Sequence, residues 1–192
     1  MSAGHGHGHG GHDDHGDHSN PANRRIALLI AVLALVLAFS ETLGKSAQTA
    51  ALSLNIEASN LWAFFQAKTI RQAVIRTAAE QAAVANPNEK SKKQIDTWRK
   101  TAERYQSEPE TGEGRKELAE RAKAAEAKRD RAMAAYHQFE LASAAVQIAI
   151  VLASAAIITG AMALVWVCIG LGAVGVLFCL IGAFAPTSVH LF

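Results

Sequence analysis

The residues best suited to chemistry open the chain. His5, His7, His9, His12, His15 and His18 alternate with glycine and are joined by Asp13, Asp14 and Asp17. Neutral imidazole binds Zn, Ni, Cu or Co, and carboxylates add oxygen ligands. A flexible segment can gather three or four such groups around one ion. With no cysteine and no fixed spacing on a scaffold, this is a collector of metal and not a structural zinc site, and nothing requires a cofactor for folding. It points to a metal-handling accessory role; the plainer reading is a solubilising tail.

Gly44-Lys45-Ser46 echoes a phosphate-binding loop. That motif needs a glycine five positions before the second one, and here the position is Phe39. It also needs a strand before the loop, whereas the preceding run is apolar and helical. A nucleotide site is not expected. Glu57, Asn60 and Gln66 are three polar residues in a stretch that also carries Leu61 and Phe65. They are candidates for facing a pore or an oligomer partner, which admits a channel or sensor as one reading. His137 stands beside Tyr136 and reads as an interfacial polar residue. Cys168 and Cys179 are eleven residues apart, about three helical turns, so they share a face and read as small packing residues. No nucleophile stands with a base and no carboxylates pair, so no enzyme is expected. A net charge of +2 gives no reason to propose nucleic acid as a partner.

The elements that must position these residues follow from segregation. Half of the 192 residues are hydrophobic, yet nineteen are basic and seventeen acidic. The apolar ones form blocks long enough to cross a bilayer, and the charged ones lie between the blocks. The expected fold is an all-α membrane protein: three transmembrane helices, with a long extramembrane helical hairpin between the first and second.

The expected segments are a disordered His/Gly-rich tail over 1–23, a span over 24–44, a helical or coiled-coil hairpin over 45–140, a transmembrane hairpin over 141–185 and a short tail over 186–192. Arg24-Arg25 before an apolar run resembles a secretory signal, but the leading region is long and the helix continues through Ser46, so the span is expected to stay uncleaved. Leu54, Ala58, Leu61 and Phe65 recur at helical spacing, with polar residues opposite. Asn86-Pro87-Asn88 stops the helix, and Asn88 can cap the next, which carries Ile95, Trp98, Ala102 and Tyr105.

After the loop 107–114, Leu118, Ala122, Ala125, Ala132, Tyr136 and Phe139 mark a third stripe. Thr159-Gly160 is the natural turn of the last hairpin. Ala142, Ala145, Ala149, Ala153 and Ala156 line one side of its first half, and Gly172, Gly175, Cys179 and Gly182 one side of its second. Such faces let helices approach closely in lipid, either with each other or with a neighbouring subunit. Basic residues near the span ends favour a cytoplasmic hairpin, although Arg24-Arg25 argues the reverse. The partners expected are the lipid bilayer and further copies of the chain, as a homo-oligomer.

The run Ser40-Glu41-Thr42-Leu43-Gly44-Lys45-Ser46-Ala47-Gln48-Thr49 is followed by Asn55-Ile56-Glu57-Ala58-Ser59-Asn60-Leu61-Trp62-Ala63-Phe64-Phe65-Gln66-Ala67-Lys68. Together they resemble a family of bacterial inner-membrane proteins, common in alphaproteobacteria, known only as a domain of unknown function. The likeness covers nearly the whole chain after the tail. It implies a bacterial membrane location with three spans, and it carries no activity or functional residue with it.

Overall fold

The computed structural model describes residues 21–85 and 88–188. They form four helices: α1 (Pro21–Val84), α2 (Glu89–Gln106), α3 (Arg115–Thr159) and α4 (Met162–Phe184). No strand occurs among the described residues. α1, α3 and α4 are each long and apolar enough to cross a membrane.

Two helices run through boundaries where composition changes sharply. α1 carries the apolar stretch and continues without a break through Gly44 and Lys45 into the polar one. At about 1.5 Å per residue its 64 residues extend about 96 Å. α3 likewise joins the charged return segment to the apolar one. Helix propensity explains why Gly44 does not interrupt: one glycine costs only about 1 kcal/mol, and tertiary packing offsets that. A Cβ at Gly44 would lie 3.4 Å from the Cβ of Phe139, so the site suits a small residue against an aromatic one.

α3 lies antiparallel along α1. As the numbering rises on α1, the facing residue on α3 falls in step. Ile26 packs on Ala153 and Leu33 on Val146 and Ala149. Asn55 accepts from Arg129 at 3.2 Å, and Trp62 Nε1 donates to Glu126 at 2.9 Å. Ala58 and Leu61 sit on Leu118, Ala122 and Ala125. Beyond this level α2 takes over, so the seam of α1 is covered by two helices placed end to end.

The buried residues of α1 recur at intervals of seven, or of four and three. Ile26, Leu33 and Ser40 are followed by Gly44, Ala51 and Ala58, then Leu61, Lys68, Gln72 and Ala79. A seven-residue period keeps one stripe facing a partner over many turns.

Helix ends follow their local chemistry. Asn88 Oδ1 accepts from the backbone of Ser91 at 2.9 Å and caps α2. Gly160 ends α3 in the left-handed region, φ 67°, with its N–H on the carbonyl of Ala156. That conformation strains any residue with a Cβ, which is why glycine belongs there.

α4 packs on α3, and the glycines set the distance. A Cβ on Gly175 would lie 2.5 Å from Val146 Cγ2 and 3.2 Å from the Ala142 carbonyl. One on Gly182 would lie 3.1 Å from Phe139, and one on Gly172 would lie 2.7 Å from Leu33. Ala142, Ala149, Ala153 and Ala156 are buried on the facing side. The small faces of the two helices therefore meet each other, and neither is left over for a neighbouring subunit.

Candidate functional site

Two polar clusters and one bare apolar face stand out. The first cluster lies where α2 hands over to α3. Its centre is Lys68, a buried cation on the seam of α1. Its ammonium is 3.9 Å from Glu108 and 3.7 Å from Glu113, and it sits 5.4 Å from the Phe64 ring centroid and 5.0 Å from that of Tyr105. A buried charge is tolerated only when paired, and here carboxylates and aromatic faces share the task.

One turn further, Gln72 Nε2 donates to the Ala102 carbonyl at 2.9 Å and to Gln106 Oε1 at 3.3 Å. Arg115, the first residue of α3, donates to Gln72 and Gln106 and lies 5.1 Å over the Phe65 ring. Glu117 accepts from the Ser107 hydroxyl and from the backbone N–H of Glu108. The Ser107 hydrogen bond holds its carboxyl below the usual glutamate range. The loop between α2 and α3 turns at Gly112, φ 68°. The cluster is a polar lock that ties α1, α2 and α3 at one level.

The second cluster lies where the apolar layer ends. Gln147 Nε2 donates to Glu41 Oε1 at 3.3 Å. Tyr136 donates to Glu140 at 3.4 Å, and His137 Nδ1 is 3.7 Å from the other oxygen of the same carboxylate. A shallow recess of about 300 Å³ opens here, with Ser40, Gly44 and Phe139 among its lining residues. The cluster lies where the sequence of both helices changes from apolar to charged.

The outward face of α1 is different. Leu52 is 62% exposed, Ile56 55%, Ile70 65% and Val74 63%. These are large apolar side chains on the polar part of the helix, each more than half exposed, and Leu52 also borders a recess that Arg129 and Met133 of α3 help to line. A scattered exposed leucine is ordinary, but four on one side of one helix form a patch.

The structure sorts the candidates named from sequence into separate places. Leu61 is buried on α3 and Phe65 packs beside it. Both face the interior of the chain, so the stripe from Leu54 to Phe65 meets its own α3 and is not free for a second subunit. Glu57, Asn60 and Gln66 are exposed. Nine residues separate Glu57 from Gln66, two and a half turns, which puts them on opposite sides of an unbroken helix. The three do not line one path.

His5, His7, His9, His12, His15 and His18 lie outside the described residues. Among the described residues no three His, Cys, Asp or Glu side chains come together to hold a metal ion. Sequence reasoning missed the lock at Lys68 and the outward stripe. The stripe had a signal: Leu52, Ile56, Ile70 and Val74 keep helical spacing, on the side opposite Ala58 and Leu61.

The family profile described as a domain of unknown function, DUF4337, matches residues 22–185. The chain belongs to the DUF4337 family. The match begins at the start of α1 and ends just past α4, so the whole four-helix unit is the DUF4337 domain and the histidine tail precedes it. No curated protein and no solved structure is significantly similar to the chain.

Proposed function

We propose that this DUF4337 protein is a non-enzymatic, multi-pass membrane protein that self-assembles, acting as a structural or interaction component. Three apolar helices anchor it, and the α1–α2–α3 part stands clear of the bilayer as a coiled-coil stalk with a seven-residue seam. One observation carries the reading. Ala58 and Leu61 on the seam are buried against α3, yet Leu52, Ile56, Ile70 and Val74 lie more than half exposed on the outside of α1. An apolar face that the chain does not cover itself, held in water on a rigid helix, is an association surface.

The second copy is the partner of choice because residue 63, at the middle of this face, is alanine. A small residue there lets two helices approach. The test replaces Cys168 and Cys179 by alanine and introduces Ala63→Cys. On oxidation in membranes, a disulfide-linked dimer is expected, because residue 63 meets its own copy when two such faces pair parallel in register or antiparallel about their middle. A chain that stays monomeric under these conditions overturns the reading.

A further inference from the structure

Resting on the self-assembly reading, we infer that two copies pair antiparallel through the outward face of α1, joining stalks that rise from two facing bilayers. The inference begins with a symmetry in the sequence of that face. Along the line directly opposite the seam, every seventh residue is Thr49, Ile56, Ala63, Ile70 and Thr77. This order reads the same in both directions. A two-fold axis at Ala63, perpendicular to the helix, sets Ile56 on Ile70 of the second copy and Thr49 on Thr77. A two-fold contact must be self-complementary in this way.

The flanking lines fit the same axis. In an antiparallel pair each flank meets the same flank of the other copy, run backwards. On one side Leu52 then meets Ala73, and Gln66 meets Ser59. On the other, Val74 meets Ser53, and Asn60 meets Ala67. On these two flanks each larger side chain finds a small one, which is how facing helices interdigitate. Charges agree. Glu57 and Arg71 lie on the same edge of the face, fourteen residues apart and on either side of the axis. Antiparallel pairing brings Glu57 of each copy within two residues, about 3 Å in height, of Arg71 of the other, inside the reach of the two side chains. Parallel pairing sets Glu57 against Glu57 in level and forms no such pair.

Length makes the two-bilayer arrangement self-consistent. Ala63 lies 19 residues beyond Gly44, about 29 Å, so the two points where α1 leaves the apolar layer stand about 57 Å apart. Val84 lies 40 residues beyond Gly44, about 60 Å. Each stalk therefore reaches the opposite surface and stops there. Lys90, Lys92 and Lys93 are exposed at that end, where an anionic lipid surface would meet them. Glu89 offsets part of this charge through its contact with Lys92.

The contact is small. A strip about 42 Å long and about 10 Å wide is roughly 400 Å², below the roughly 800 Å² per partner of a standard interface. Many copies acting together between two surfaces supply what one pair lacks. The test must therefore keep the protein in vesicles.

The experiment reconstitutes Ile56→Cys and Ile70→Cys chains, each also carrying Cys168→Ala and Cys179→Ala, into separate vesicles of mixed zwitterionic and anionic phospholipid. The vesicles are mixed and oxidised. The expected products are a mixed 56–70 disulfide between the two populations and clustered vesicles with a gap of about 57 Å. Glu57→Arg should reduce clustering several-fold, and adding Arg71→Glu should restore it. Disulfides of residue 56 with itself inside one population, without the mixed product, overturn the antiparallel arrangement but leave self-assembly standing. Failure of the Ala63→Cys dimer as well removes both.

Discussion

Around Leu33 the helices touch because glycine and alanine let them: Gly172 and Gly175 leave no room for a methyl group against Leu33 and Val146. Around Leu61 they touch through a fully buried Leu118, two alanines and a set of long polar side chains that reach across. The first region makes few side-chain hydrogen bonds between helices, and the second makes many, from Asn55–Arg129 to Gln72–Arg115. The difference follows the surroundings proposed for each. In hydrocarbon, burying an apolar side chain gains nothing over leaving it in lipid, so helices associate through close van der Waals fit. In water, burial itself is favourable, and polar groups must be paired where they are covered.

Substitutions can break this contrast, beginning with the largest effect. Leu118→Ala removes a side chain with no exposed surface and should destabilise the stalk by about 2–5 kcal/mol. Hydrogen exchange should then rise in 54–65 and 115–129 while the apolar helices stay protected. A uniform loss of protection would mean that the two regions fold as one unit. Gly175→Ala should act on the other region. Its methyl group would meet Val146 and a backbone carbonyl, and overpacking of this kind costs about 1–3 kcal/mol. The thermal midpoint in detergent should fall, whereas the same change at Gly170, where a Cβ meets nothing, should leave it unchanged or raise it slightly through the better helix propensity of alanine.

Trp62→Phe keeps most of the ring and loses one hydrogen bond to Glu126, for a cost of about 1 kcal/mol seen in chemical unfolding of the stalk. The smallest effect is on pH. Glu117 has a lowered carboxyl pKa in the folded chain, so its contribution is present above the unfolded value and is lost as pH falls through the folded one. The loop 107–114 should therefore loosen in acid, by proteolysis or exchange, and Glu117→Gln should flatten that dependence.

Much of this contrast is readable in the sequence. The helical stripes of α2 and α3, the capping by Asn88 and the turn at Gly160 all follow from spacing and residue type. The inward face of α1 was harder. Its seam positions include Ser40, Gly44, Lys68 and Gln72, which no hydropathy pattern counts as core. Its outward positions include Leu52, Ile56, Ile70 and Val74, which such a pattern counts as core. Hydropathy therefore does not separate the two sides of the stalk helix; which side is inward is decided by the residues of α2 and α3 that pack on it. Lys68 could not be placed from sequence either. Its partners Glu108 and Glu113 lie about forty residues away, in a loop whose return path depends on where α2 ends.

The passage of α1 through Gly44 without a break has a mechanical side. A helix that continues unbroken across the boundary couples anchor and stalk as one lever. A tilt of about 20° in the anchor would carry Val84, about 60 Å beyond Gly44, sideways by about 20 Å. A change in bilayer thickness that altered the anchor's tilt would then be read out, enlarged, at the far tip of the molecule.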